Sequence, residues 1–250
     1  MNFYVDEIYN MLINKTYTPS PYIKMLIHDG VRKKERIIYK LFFTKEVFML
    51  VTMKEILDRA KKDNYGVTSI MVDRSSLSYE DNIAQTKETV KMCRPLNISV
   101  EAELGHVGQS EDYSSDGSDH FTKPEEVKKF VEETGIDCLA VAIGTAHGRY
   151  HGTPHIDFDL LKQITDVVDI PLVLHGGSGT GDENLRKAVK NGIQKVNLAT
   201  ELVVAGKEEL ETFIQDKNFD KWQLIPSFIK GYSDRLEHYV NLFDQENRAW

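Results

Sequence analysis

The sequence predicts an α/β fold in which parallel strands alternate with outer helices, with about five such βα units present. Three observations carry this expectation. From residue 68 onward one unit recurs: a short apolar run, a loop, then an amphipathic helix. The apolar runs are nearly continuous rather than alternating, as expected of strands covered on both faces. A closed (β/α)8 barrel needs eight units of roughly 30 residues each, and the first 67 residues cannot hold three more. At this level a doubly wound sheet and an incomplete barrel both fit.

The strand candidates are Thr68–Asp73, Ile98–Leu104, Cys138–Gly144, Pro171–His175 and Gln194–Leu198. Helix-start signals stand between them. Ser78 precedes YEDNIAQTKETVKMC, and Thr122-Lys-Pro-Glu125 has capping-box spacing before VKKFVEETG. ENLRKAVK should start after Asp182 and stop at Asn191-Gly192, a common helix-ending pair. Upstream, Thr52-Met-Lys-Glu55 is another capping box, followed by ILDRAKKDN. Residues 1–50 show no strand–helix alternation; their basic run VRKKER reads as a solvated face. The chain therefore divides into an unassigned segment, 1–50, and a domain spanning 51–250.

With 31 basic and 39 acidic residues, the formal net charge is −8. That argues against nucleic acid as a partner, which would need a basic face. It leaves open a small phosphorylated ligand, because a few backbone N–H groups suffice to hold one. The two cysteines, Cys93 and Cys138, lie far apart and read as reduced thiols. No apolar run approaches the length of a membrane span, and the N-terminus has no cleavable signal pattern. The expected location is the cytoplasm, with no membrane partner.

Chemistry-bearing residues fall at strand ends. Glu103, His147 and His175 stand at or just after the C-terminal ends of three different strands, which parallel folds gather on one face. Imidazoles and a carboxylate suit Zn2+. Taken singly, each histidine reads as a hydrogen-bonded core residue, and Glu103 as an ion-pair partner. Their coincidence on one face is what points to a metal. His175 also opens His-Gly-Gly-Ser-Gly, in which glycines let backbone N–H groups approach an anion and Ser178 adds a hydroxyl. The next strand end carries Asn197, Leu198, Ala199 and Thr200. Barrel phosphate sites frequently use the loops after the last two strands. The long polar loop Gly105–Phe121 has the character of a lid or catalytic loop.

EAELGHVG (101–108), LAVAIGTAHGRYHGTP (139–154), PLVLHGGSG (171–179) and KVNLATEL (195–202) resemble, in order and spacing, the signature segments of the class II fructose-bisphosphate and tagatose-bisphosphate aldolases. TSIMVDRSSLSYEDNIAQTKETV (68–90) resembles that family's fourth strand and helix, and TMKEILDRAKKDNYGV (52–67) its N-terminal helix. The likeness runs over about residues 51–215.

The resemblance implies a TIM-barrel fold and zinc-dependent cleavage of fructose or tagatose 1,6-bisphosphate to dihydroxyacetone phosphate and glyceraldehyde 3-phosphate. Zinc would polarise the ketone and stabilise an enediolate. It implies His147 and His175 as zinc ligands, with Glu103 as an outer or alternate contact. Gly148, Gly176, Gly177 and Ser178 would hold the dihydroxyacetone-phosphate half, completed by Asn197, Leu198, Ala199 and Thr200. Glu111 would be the loop carboxylate that moves the substrate proton. A monovalent cation near the phosphate and a homo-oligomer are implied as well.

One family element is missing. The Leu-Asp-His-Gly that ends the family's third strand, source of the acid–base Asp and a further zinc His, has no counterpart; Ile27-His28-Asp29-Gly30 has the order reversed. Tyr65-Gly66-Val67 runs directly into the fourth-strand match, as if three βα units were deleted. Arg74 and Ser76 stand where the family usually has Gly and His. Two expectations follow: an aldolase, or a catalytically inactive remnant of one. No GxGxxG follows a strand, which disfavours a dinucleotide-binding protein.

Overall fold

The structure, a computed structural model, describes residues 68–108, 120–148, 150, 154–216 and 218–246. The N-terminal segment 1–50, the capping box at Thr52–Glu55, the junction at Tyr65–Val67 and the loop carboxylate Glu111 lie outside the described residues.

Five strands form one parallel sheet: β1 (Ser69–Val72), β2 (Ser99–Leu104), β3 (Cys138–Val141), β4 (Leu172–Leu174) and β5 (Ile193–Val196). They lie side by side in the order β1-β2-β3-β4-β5. A doubly wound sheet reverses its strand order at a switch point, and no reversal occurs here. Right-handed crossovers between successive neighbours put every connecting helix on the same face. The result is an arc of a TIM-type barrel, with helices α1 (Tyr79–Cys93), α2 (Pro124–Thr134), α3 (Phe158–Thr165) and α4 (Asp182–Lys190) between successive strands. Among the described residues β1 pairs only with β2, and β5 only with β4.

The core lies between the sheet and its helices. Val100, Ala102 and Leu104 of β2 join Leu139 and Val141 of β3, and Leu172 and Leu174 of β4, against Val127, Phe130, Leu161, Ile164 and Leu185. Each large aliphatic or aromatic side chain buried here contributes on the order of 1.5–3 kcal/mol. The alternate residues, Glu101 and Glu103 on β2, Cys138 and Ala140 on β3, and Val173 on β4, occupy the opposite, inner face.

Local signals decide most helix ends. Ser78 caps α1, its side chain accepting from the Asp81 backbone N–H at 3.2 Å. Asn191 closes α4, and Gly192 follows at φ 113°. Two expectations need correction. The capping box at Thr122–Glu125 does not form: the N-cap of α2 is Lys123, and Thr122 is drawn inward, donating to the Leu104 carbonyl and accepting from the Ala142 N–H at 2.8 Å. Joining two strand ends outcompetes capping because Thr122 is 1% exposed and its hydroxyl must find partners in the interior. Helix α4 begins at Asp182 itself, with Gly181 as N-cap. Beyond β5 the chain forms a helical pair, α5 (Thr200–Phe213) and α6 (Leu224–Leu242). No described helix is long and apolar enough to cross a membrane.

Candidate active site at the strand C-terminal ends

The glutamates of β2 share the inner face because they are two residues apart on a strand. Both are buried, at 3% and 1% exposure for Glu101 and Glu103, so each carboxylate needs partners. Glu101 Oε1 lies 3.0 Å from His175 Nε2, and Lys195 Nζ of β5 pairs with Glu101 Oε2. Glu103 Oε2 lies 3.1 Å from His175 Nδ1. Its Oε1 accepts from the Val107 N–H at 3.0 Å and from the Ser75 hydroxyl at 3.1 Å. Ser75 Oγ is also 2.7 Å from Asp73 Oδ1 and 2.9 Å from His106 Nδ1. The ends of β1, β2, β4 and β5 are thus joined by one polar network.

His175 and His147 come together, their ring centroids 5.7 Å apart. Burial lowers the pKa of His147, the neighbouring His175 adds to that, and Glu103 and Asp73 only partly oppose it. The net shift is downward, which favours the neutral imidazole. For His175 burial acts downward too, but hydrogen bonds to Glu101 and Glu103 outweigh it, and the net shift is upward.

The loops after β4 and β5 are stitched together. Gly176 sits at φ 66°, and a Cβ there would stand 2.3 Å from the Ala146 carbonyl oxygen. A Cβ on Gly177 would meet Val196 at 2.7 Å and the Asn197 carbonyl at 3.0 Å. Only glycine allows this approach. The Gly177 N–H donates to the Asn197 carbonyl at 3.1 Å, and Ser178 Oγ accepts from the N–H groups of Ala199 at 3.1 Å and Glu201 at 3.4 Å. Leu198 packs against the core, and Thr200 is the first residue of α5. Ser178 is therefore held at the positive end of a 14-residue helix. Gly148, at φ 103°, follows His147, whose N–H donates to the Gly108 carbonyl at 2.8 Å.

Zinc fits these residues by type and not by arrangement. Both ring nitrogens of His175 lie within hydrogen-bond distance of carboxylates, so neither is turned to a metal. Among the described residues no group of three or more His, Cys, Asp or Glu side chains is arranged to hold a metal ion. For a monovalent cation, the Gly176 carbonyl already accepts from Tyr150 at 3.0 Å and Thr180 at 3.1 Å.

Sequence reasoning missed Glu101, Lys195, Ser75, Asp73 and His106. A signal existed for the first two: a second glutamate at i−2 from Glu103, and a lysine within the strand candidate at Gln194–Leu198. Asp73 and Ser75 come beside Glu103 only through the register of β1 against β2, Val72 opposite Ala102, and His106, which follows β2, joins the network through Ser75.

Known proteins share this architecture. The YdjI aldolase of Escherichia coli K12 is similar at TM-score 0.70 and 30% identity, over 92% of this chain and 77% of that one. A Coccidioides immitis protein described as a candidate fructose-1,6-bisphosphate aldolase is similar at TM-score 0.65 and 32% identity, over 78% of this chain and 69% of that one. The fructose-bisphosphate aldolase of Campylobacter jejuni shares the fold at TM-score 0.64 and 22% identity, over 78% of this chain and 67% of that one. The family model described as fructose-bisphosphate aldolase class-II matches residues 49–248, and the chain belongs to that family.

Proposed function

We propose that the chain binds the phosphorylated ketose of the class II aldolases through its dihydroxyacetone-phosphate half, and does not by itself complete aldol cleavage. The observation that carries the binding reading is the docking of Ser178 on the backbone of Ala199 and Glu201. It joins the Gly176–Ser178 turn to the start of α5, where N–H groups and the helix dipole favour an anion. Phosphate would displace these internal bonds and accept from Ser178 and the backbone of Gly177, Ala199 and Thr200. A grip on that end supplies binding energy remote from the reacting carbons.

The loss of turnover is supported by two things. The sequence lacks the Leu-Asp-His-Gly element, and with it the group that exchanges the C4 hydroxyl proton. Such a group typically contributes about 10²–10⁴-fold. His175, meanwhile, is held through both ring nitrogens.

A second reading, full zinc-dependent cleavage of fructose or tagatose 1,6-bisphosphate, is favoured by the approach of His147 to His175 with Glu103 beside them. It requires His175 to leave at least one carboxylate, and Glu111 to reach the substrate.

Two measurements decide. Calorimetric titration with dihydroxyacetone phosphate should show saturable binding that Ser178→Ala weakens about tenfold or more. A coupled triose-phosphate assay with added zinc should show no cleavage of either bisphosphate. Absence of binding ends the first reading; chelator-sensitive cleavage establishes the second.

A further inference from the structure

Resting on the phosphate-binding reading above, we propose that Arg74 is a recognition residue for a second anionic group, a phosphate at the end of the sugar remote from the ketone. Arg74 is the second residue after β1 and is 5% exposed. Its Nη1 donates to the Asp73 carbonyl at 3.0 Å, which holds the guanidinium at the C-terminal end of the strand. Its Nε is buried without a hydrogen-bond partner. No carboxylate pairs with it among the described residues: Asp73 Oδ1 accepts from the Ser75 N–H and hydroxyl, and Glu103 is taken by Ser75, Val107 and His175.

A buried guanidinium without a counter-anion is costly, because the charge has lost its water and gained no opposite charge. Arginine in that state is suited to accept a planar or tetrahedral oxyanion, which its fork meets with two parallel N–H···O bonds. The location fits a ligand. The end of β1 adjoins the Ser75–Glu103–His106 network and lies on the same end of the sheet as the Gly176–Ser178 turn. β1 and β4 are three strands apart, about 14 Å along the sheet at the usual strand spacing and less across the chord of an arc. A six-carbon sugar with a phosphate at each end has this reach once the arginine side chain is added. A second buried orphan, the Thr145 hydroxyl, stands on the same end after β3. Polar groups awaiting a ligand thus occur away from the glycine-rich turn as well.

The test compares fructose 1-phosphate with fructose 1,6-bisphosphate by calorimetry on the full chain. Wild type should bind the bisphosphate about tenfold or more tightly. Arg74→Gln should lose that preference and keep its affinity for the monophosphate. Arg74→Lys, which keeps the charge without the fork, should retain part of the preference and controls for misfolding alongside thermal melts. Ser178→Ala should weaken both ligands, which separates the two sites. Equal affinity of wild type for both sugars, or a preference that survives Arg74→Gln, overturns the assignment of Arg74. Binding of neither sugar by wild type removes the phosphate-binding reading and this inference together.

Discussion

Glu103 and His175 meet across strand β3: His175 Nδ1 lies 3.1 Å from Glu103 Oε2, although their strands are not neighbours. What lies between them explains how. The inner-face residues of β3 are Cys138 and Ala140, both small, and Ala140 is in register with Glu103 on one side and Val173 on the other. A larger side chain at position 140 would fill the space through which the carboxylate reaches the imidazole.

Ala140→Leu should therefore destabilise the protein by more than ordinary overpacking, about 1–3 kcal/mol, because it also parts a buried charge network. Ala140→Gly removes one methyl, leaves the bridge intact and should cost about 1 kcal/mol through backbone entropy. Urea midpoints at unchanged m-value give the comparison. Equal losses in the two variants would show that the small residue on β3 does not matter to the bridge.

The same relationship shows what the sequence could disclose. The strands, their parallel order and the strand-end position of His147, His175 and Glu103 follow from apolar runs spaced by helices, a local pattern. The polar network does not, because it depends on register. Glu101 and Glu103 share a face by strand periodicity alone, but which histidine and which lysine they meet depends on β2 aligning with β3, and β3 with β4. The irregular step at Leu172/Val173 opposes Val173 to Lys195 and so helps bring Lys195 to Glu101. Thr122 misled for the same reason: its spacing signals a cap, while its burial between two strand ends decides otherwise. Arg74 was legible only as an unusual residue at a glycine position; its burial and lack of a counter-anion are properties of the fold.

Cys93 gives a pH dependence with a definite sign. Its side chain is fully buried on α1. Burial pushes the thiol up from 9.0 to about 11, Asp137 adds to this, and Arg94 opposes it. The folded state thus holds its proton more tightly than the unfolded chain. The stabilising contribution is full below pH 9 and is lost between pH 9 and about 11. The size of that loss is about 2–3 kcal/mol. Tyr79 and Tyr239 are also shifted upward and act in the same direction. The informative quantity is accordingly the difference between wild type and Cys93→Ala in urea unfolding at pH 8 and pH 10.5. Wild type should lose more stability over that interval, and identical losses would mean the Cys93 thiol does not contribute.

The C-terminal helix should tune the anion-binding turn through one phenol. Tyr239 of α6 is 2% exposed, and its hydroxyl donates to Glu201 Oε2. The same oxygen accepts from the Gly179 N–H at 3.1 Å, while the Glu201 N–H donates to Ser178 Oγ at 3.4 Å. Burial first, and then the bond to Glu201, raise the Tyr239 pKa, so the phenol remains a donor under any ordinary assay condition. Tyr239→Phe keeps the ring and its stacking on Phe243, at 6.0 Å, and removes only the hydroxyl. A hydrogen bond to a charged group contributes about 1.5–3 kcal/mol, so a loss of that size is expected in denaturant unfolding. A freed Glu201 carboxylate would hold the turn less firmly and would also present an unshared negative charge beside it. Both effects oppose an incoming anion, and affinity for dihydroxyacetone phosphate should fall severalfold. Hydrogen exchange separates this route from general destabilisation: the Gly179 amide should lose protection while amides in β2 and β3 keep theirs, relative to the global stability. Unchanged protection at Gly179 would show that Tyr239 and Glu201 stabilise only the helical pair and do not govern the turn.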